Sequence, residues 1–183
     1  MSLDREKSEL RETAQAVRRR SAEKAGPLAA AHLSDHLVAG FGYLAGYAVS
    51  GYLAIGTEID VVPALLRLEK AGLHATLPVV TEHEQSLTFR HWTAGTQLEP
   101  GPLRTRHPVA GSPKMVPDLL IIPMLAFDVE GYRIGWGGGF YDRTLVKLRA
   151  KKEVIAIGAA FAAQQVDKIP RDHHDERLDW IAT

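Results

Sequence analysis

Residues Tyr47 to Val80 read YAVSGYLAIGTEIDVVPALLRLEKAGLHATLPVV. An apolar run opens the stretch, Tyr47 to Ala54, and reads as a buried strand; Ala75 to Val80 closes it as a second. Between them a helix is expected from about Val62 to Ala71, with Asp60 placed to cap it, Pro63 in its first turn and Gly72 as its stop. Strand, helix and strand at this spacing form a βαβ unit, so the two strands should be parallel with a right-handed crossover.

Outward from this unit the pattern continues. Leu87 to Trp92 is a short strand of alternating character, and Leu119 to Ile122 is a buried strand ending at Pro123. A helix is expected from about Phe140 to Lys151, then a buried strand from Val154 to Ala160. After a short apolar turn near Val166 comes a last strand around Leu178 to Ile181. Residues 93–117 hold Pro100, Pro102, Pro108, Pro113 and Pro117 and read as a long irregular loop of the kind that is functional or mobile. Upstream, Leu3 to Ala25 reads as a helix with Leu3, Leu10, Ala14 and Val17 on one stripe; Gly26-Pro27 breaks it. A second helix runs to about Val38, followed by a flexible apolar loop from Gly40 to Gly46. The sum is a single domain over residues 1–183: a three-layer α/β/α fold, with a Rossmann-like, mostly parallel sheet and helices on both faces.

Composition excludes several classes. With 22 basic and 22 acidic residues the formal net charge is zero, which argues against a general nucleic-acid binder. There is no cysteine, so there is neither a disulfide framework nor a thiolate metal site. No apolar run reaches bilayer length, no secretory signal is read at the N-terminus, and the cytoplasm is the expected compartment.

The chemistry gathers in Gly131-Tyr132-Arg133-Ile134-Gly135-Trp136-Gly137-Gly138-Gly139-Phe140-Tyr141-Asp142-Arg143. Glycine runs lose much backbone freedom on folding. They occur where the chain turns tightly or where backbone amides cradle an anion at a helix start. This run is neither the dinucleotide fingerprint nor a Walker loop. A plain turn is the competing reading, and Arg133, Asp142 and Arg143 favour the anion site. Lys7, Arg11 and Arg18 share one sector of the first helix: a solvated basic face by charge pattern alone, or, since they lie beside the apolar stripe rather than opposite it, cations facing something anionic held by the body of the protein. Glu58, Asp128 and Gln164 fall after strands, at the end where open parallel sheets bind ligands. Glu58 and Asp142 also fit the first turn of a helix as macrodipole partners. Asp175 with His173 and His174 is a solvated loop or a metal site; oxygen ligands such as Asp142 and Asp175 suit magnesium completed by phosphates.

These residues carry a resemblance. The chain is similar over nearly its whole length to the 5-formyltetrahydrofolate cyclo-ligase family, also called methenyltetrahydrofolate synthetase. Arg133 to Asp142 resembles the family's Arg-Leu-Gly-x-Gly-x-Gly-Tyr-Tyr-Asp signature, with Phe140 in place of the first tyrosine. Lys7-Ser8-Glu9-Leu10-Arg11 resembles its Lys-x-x-Leu-Arg, and Glu58-Ile59 its Glu-Ile after the first strand. Asp118 to Pro123 with Ala126-Phe127-Asp128, then Ala160-Phe161 with Gln164, and late Asp175 followed by Asp179 complete the order. Gly138 stands where some members carry lysine, so one phosphate contact is either missing or supplied by Arg143 or Lys114; His107 stands where an acidic or amide residue usually precedes the proline.

The resemblance implies ATP- and Mg2+-dependent closure of 5-formyltetrahydrofolate to 5,10-methenyltetrahydrofolate by a cytoplasmic ligase that is a monomer or weak homodimer. It implies ATP contacts from Lys7, Arg11, Arg133, Gly135, Trp136, Gly137, Gly138, Gly139, Phe140 and Tyr141. It implies folate contacts from Leu53, Glu58, Trp136, Gly137, Gly138, Gly139 and Phe140, and magnesium at Asp142 and Asp175. Glu58, Arg133 and Lys7 are the implied catalytic residues. A non-catalytic folate- or nucleotide-binding paralogue, an ATP-dependent enzyme on a related N-formyl substrate, and an interaction protein whose glycine loop is only a turn are the rival readings.

Overall fold

The computed structural model describes residues 2–81 and 85–183. In chain order the elements are α1 (Leu3–Ala25), α2 (Leu28–Phe41), β1 (Ala48–Ser50), α3 (Val62–Lys70), β2 (His74–Val79), β3 (Thr88–His91), β4 (Leu98–Pro100), β5 (Arg106–Pro108), β6 (Leu119–Pro123), β7 (Ala126–Phe127), β8 (Arg133–Ile134), α4 (Phe140–Arg149), β9 (Ile155–Ala159) and β10 (Trp180–Ala182). Six strands form the central sheet in the order β10-β9-β6-β1-β2-β3. Every pairing in it is parallel except β2 with β3. The expected mostly parallel, three-layer α/β/α architecture is the one observed.

The layers follow from the period-two alternation of side chains along a strand. Leu119 and Ile121 of β6, with Val49, Leu77 and Ile157, pack against Leu33 and Leu37 of α2 and Leu65 and Leu68 of α3. Leu120 and Ile122, on the opposite face, pack with Phe89 and Ala156 against Leu145 and Leu148 of α4. Full burial of each such side chain contributes about 1.5–3 kcal/mol. Helix α1 belongs to a third cluster, in which Ala14 meets Leu125, Ala126, Ile134 and Ile169 around the β7–β8 hairpin. That docking sets one end of α1 near the carboxyl ends of the sheet strands. The chain moves outward from β1 to β2 and then restarts on the other side of β1 with β6. Between β1 and β6 the order reverses, which is where open sheets leave a crevice.

Four expectations change. Pairing of β1 covers Ala48 to Ser50 only, although burial continues through Tyr52. Apolarity reported burial there, not pairing; a Cβ at Gly51 would lie 2.6 Å from Leu65, and the chain beyond turns away to form a wall. Helix α2 extends through Gly40 to Phe41, so the expected flexible loop starts later. Residues 93–117 are not an irregular loop: β4 and β5 pair antiparallel, with Leu98 opposite Pro108 and Pro100 opposite Arg106. A two-stranded hairpin has an outer edge on every strand, so its prolines lose no required donor. The N-cap of α3 is Val61, with no side-chain cap, rather than the expected Asp60, which sits one residue earlier and accepts a 2.9 Å bond from the Val62 amide.

Candidate active site

A cavity of about 1330 Å³ opens at the carboxyl ends of the central strands. Single-ligand sites usually span about 300–1,000 Å³, so this one has room for two small molecules together. Every residue that the family resemblance named for ATP, folate, magnesium or catalysis lines it: Lys7, Arg11, Leu53, Glu58, Arg133, the run from Gly135 to Asp142, and Asp175.

The glycine loop forms one wall. Gly137 and Gly139 have φ of +95° and +63°, and Gly139 precedes α4 without a capping side chain. None of the eight backbone amides from Gly135 through Asp142 donates a hydrogen bond to another described residue. The carbonyls, in contrast, are engaged. Arg11 Nε donates to Gly135 O at 3.0 Å, and Arg143 Nη2 donates to Gly138 O at 2.6 Å. In a planar trans peptide the following N–H points opposite to the carbonyl. The two arginines therefore turn the Trp136 and Gly139 amides away from themselves. Side chains have no room in the loop: a Cβ at Gly137 would lie 3.2 Å from the Arg11 guanidinium, and one at Gly138 would lie 2.8 Å from the Phe140 ring. The result is a positively polarised strip of unpaired donors running into the N-terminus of a ten-residue helix.

Cations surround that strip. Lys7 Nζ lies 2.6 Å from Asp175 Oδ2 and 3.4 Å from Asp172 Oδ2. Burial alone would pull the Lys7 ammonium down; the bonds to Asp175 and the charges of Asp175 and Asp172 outweigh it and hold its pKa above the ordinary value. Arg133 is buried, with Nη2 at 2.8 Å from Asp142 Oδ1 and Nη1 donating to Glu176 O. Arg143 reaches across the Phe140 ring at 5.4 Å, and its buried Nε has no partner. Lys114, the other candidate for the contact absent at Gly138, is exposed and does not line the cavity.

The opposite wall follows β1. Glu58 Oε2 accepts a 2.9 Å bond from the Ile55 amide, while Oε1 lies 3.5 Å from both Arg18 Nη1 and Trp136 Nε1. Arg18 also stacks over the Trp136 ring at 5.2 Å and donates to Thr57 and Met124 O. Burial pushes the Arg18 guanidinium down, and the Glu58 charge resists this. Tyr52, buried behind Glu58, donates to Ile59 O; burial and then the Glu58 charge push its phenol well above the usual value. The shared sector of Lys7, Arg11 and Arg18 thus faces protein groups: two carboxylates, a loop carbonyl and Glu58.

Magnesium was assigned to Asp142 and Asp175. Among the described residues there is no group of three or more His, Cys, Asp or Glu able to hold a metal ion. The two aspartates nevertheless fit a partial shell. Asp142 uses Oδ1 for Arg133 and the Glu176 amide, and Asp175 uses Oδ2 for Lys7 and the Asp172 amide, which leaves one oxygen of each. One or two carboxylates completed by phosphates is the ordinary mode for magnesium.

Asp128 and Gln164 are not on the cavity wall. Asp128 is buried and accepts amides of Glu130, Tyr132 and Ile169, closing the turn between β7 and β8. Gln164 donates to Met124 O and Leu125 O and accepts from Phe161. Both follow strands in sequence but were claimed by nearby backbone, which no spacing rule reveals. Arg18 is the site residue to which the sequence assigned no specific role, whereas Arg143 was already a candidate for the contact absent at Gly138. Arg18 shared a helix sector with Lys7 and Arg11, and that was its signal.

A family model described as the 5-formyltetrahydrofolate cyclo-ligase family matches residues 4–183. The 5-formyltetrahydrofolate cyclo-ligase of Escherichia coli K12 is 32% identical over 142 residues, 75% of this chain and 78% of that one. The enzyme of the same name from Mycolicibacterium smegmatis is 30% identical over 158 residues, 78% of each. The solution structure of Aquifex aeolicus 5,10-methenyltetrahydrofolate synthetase superposes with a TM-score of 0.77 at 26% identity, covering 96% of this chain and 88% of that one.

Proposed function

Since the chain belongs to the 5-formyltetrahydrofolate cyclo-ligase family, we propose that it is a ligase converting 5-formyltetrahydrofolate to 5,10-methenyltetrahydrofolate, with ATP consumed and ADP and phosphate released. The observation that carries its ATP half is the strip of unpaired amides from Gly135 to Asp142, whose carbonyls are tied back by Arg11 and Arg143. A turn with no ligand would pair those amides internally or leave them to water; this strip lines a cavity large enough for a nucleotide and a folate.

The chemistry needs both. A formamide carbonyl is a weak electrophile and a poor source of a leaving group. Transfer of the γ-phosphoryl group to the formyl oxygen breaks its bond to the β-phosphate oxygen of ATP and leaves ADP. The formyl carbon is then iminium-like, N10 attacks it, N10 loses its proton, and the C–O bond breaks to release phosphate. Such transfer asks the protein for alignment and charge neutralisation rather than covalent help. The loop amides, Lys7, Arg11 and Arg133 hold the phosphates, and Arg143 stands at the same loop. Glu58, fixed by Ile55 and Arg18, accepts the pterin's amino and ring N–H groups and so orients N5 and N10. Leu53 and Trp136 supply flat apolar contact for its rings. Asp142 and Asp175 would hold magnesium, which neutralises phosphate charge when bound.

We take residues 1–183 as one cyclo-ligase-like unit, a monomer or weak homodimer, supported by the fact that all these residues of one chain line one cavity. A cytoplasmic location is part of this reading. Mixing the protein with Mg-ATP and 5-formyltetrahydrofolate should produce the methenyl chromophore. No absorbance change, with both ligands bound, would leave a non-catalytic binding paralogue.

A further inference from the structure

The β4–β5 hairpin bends from Gly101 to Thr105, and its tip lines the cavity with Leu103, Arg104, Thr105 and Arg106. The bend is tied at both levels. The Thr105 amide donates to Pro102 O at 3.0 Å, and the Gly101 amide to Thr105 O at 2.9 Å. Its two central residues, Leu103 and Arg104, have φ of +58° and +62°. Among the described residues they are the only non-glycine residues with positive φ. Two left-handed residues in succession make a type I′ turn, a shape that Asn-Gly or Gly-Gly adopts readily. Leucine and arginine are strained there, and such strain persists where the surroundings or the function require it. Packing does not explain it at Leu103, which is 57% exposed.

The cations of this tip differ from the others in the cavity. Lys7, Arg11, Arg133 and Arg143 are each bound to a carboxylate or a carbonyl, and Lys147 to the Ser86 hydroxyl. Arg104 and Arg106 make no ion pair and no side-chain hydrogen bond with any described residue, so their charge is available to a ligand. The same cavity wall includes Leu53, Pro78, Val80 and Leu87, an apolar surface suited to rings. A reduced folate has this composition: a ring system that hydrogen-bonds at its pterin end, an apolar aromatic middle, and a glutamate carrying two carboxylates.

We propose that Arg104 and Arg106 bind the glutamate carboxylates of the folate, and that the strained turn is retained because it delivers Arg104 into the cavity. This rests on the folate reading of the site. Guanidinium forks match carboxylates in geometry as well as charge.

The test compares 5-formyltetrahydrofolate with its tail diamide, in which both carboxylates are carboxamides, on the wild type, Arg104→Gly and Arg106→Gln. Arg104→Gly relaxes the turn, so its Tm should rise. Its Michaelis constant for the folate, and its Kd measured without ATP, should nevertheless rise about tenfold, as for loss of one charge-assisted contact. The Michaelis constant for ATP should stay unchanged. The wild type should discriminate against the diamide by a similar factor, and each variant should discriminate less. Variants that distinguish acid from diamide as well as the wild type does overturn the inference while leaving the enzyme's function standing. A rise in the Michaelis constant for ATP instead assigns these arginines to phosphate and also overturns it. A wild type that forms no methenyl product overturns the function and this inference together.

Discussion

Replacing Glu58 by glutamine keeps its shape and removes its charge. The carboxylate sits between the Ile55 amide, Arg18 and Trp136, on the wall assigned to the pterin. We expect turnover of 5-formyltetrahydrofolate to fall by about a hundredfold, as for loss of an orienting charge, with the Michaelis constant for ATP spared. A fully active variant removes Glu58 from the site. Its partner adds a stability prediction. Both side chains of the Arg18–Glu58 pair are about 5% exposed or less, at 3.5 Å, and removing one member strands the other. Arg18→Met should cost about 3 kcal/mol in urea unfolding. The double variant with Glu58→Gln should lose less than the sum of the two single losses, because neither charge is then left alone. Strict additivity would show the pair to be energetically silent. Lys7, Arg11 and Arg18 could be grouped from helix periodicity, but not which carboxylate each would meet. Those partners lie 165 or more residues away for Lys7 and 40 for Arg18.

Within the glycine loop and α4, the two end glycines separate backbone geometry from ligand approach. Gly139 has φ +63°, and a Cβ there would lie 2.5 Å from Arg143 Nη1. Gly139→Ala should therefore lose about 1–2 kcal/mol of stability from the left-handed backbone and also weaken ATP. Gly135 has nothing within 4 Å of its missing Cβ and no positive φ. Gly135→Ala should leave Tm within about a degree, as an unstrained surface change does, while raising the Michaelis constant for ATP. An ATP-neutral Gly135→Ala would mean that the phosphates do not approach that position. The density of glycine and charge made this loop visible in the sequence. The β4–β5 hairpin was hidden by its prolines, because proline content reads as loop unless the edge position of the strand is known.

For the molecule as a whole, ligand linkage and pH give two further expectations. Mg-ATP or 5-formyltetrahydrofolate at about 100 times its Kd should stabilise the fold by roughly 2.7 kcal/mol in a thermal shift. No shift with either would favour a protein whose glycine loop is only a turn; a shift with ATP alone would favour a different N-formyl substrate. In alkali, Tyr52 should limit stability. Its folded pKa is raised by burial, so its contribution is complete below the unfolded value of about 10 and is lost as pH rises beyond that. Tyr52→Phe removes the bond to Ile59 O and should cost about 1 kcal/mol at neutral pH, yet give a shallower fall above pH 10. Parallel alkaline slopes would show that other groups dominate there.

The amino-acid sequence alone determined the alternation of strands and helices, the parallel sheet, the extent of α1 and the position of the glycine loop. Each of these depends on local spacing: apolar period, proline and glycine placement, and a short signature. Tertiary structure decided the rest. It ended β1 at Ser50, turned Asp128 and Gln164 to backbone bonds away from the cavity, set Arg18 on Glu58 and Arg143 on the loop carbonyl, and placed Arg104 in a strained turn at the cavity. These outcomes depend on which groups meet across the fold, and contacts between distant residues are fixed by packing of the layers rather than by the order of neighbours along the chain.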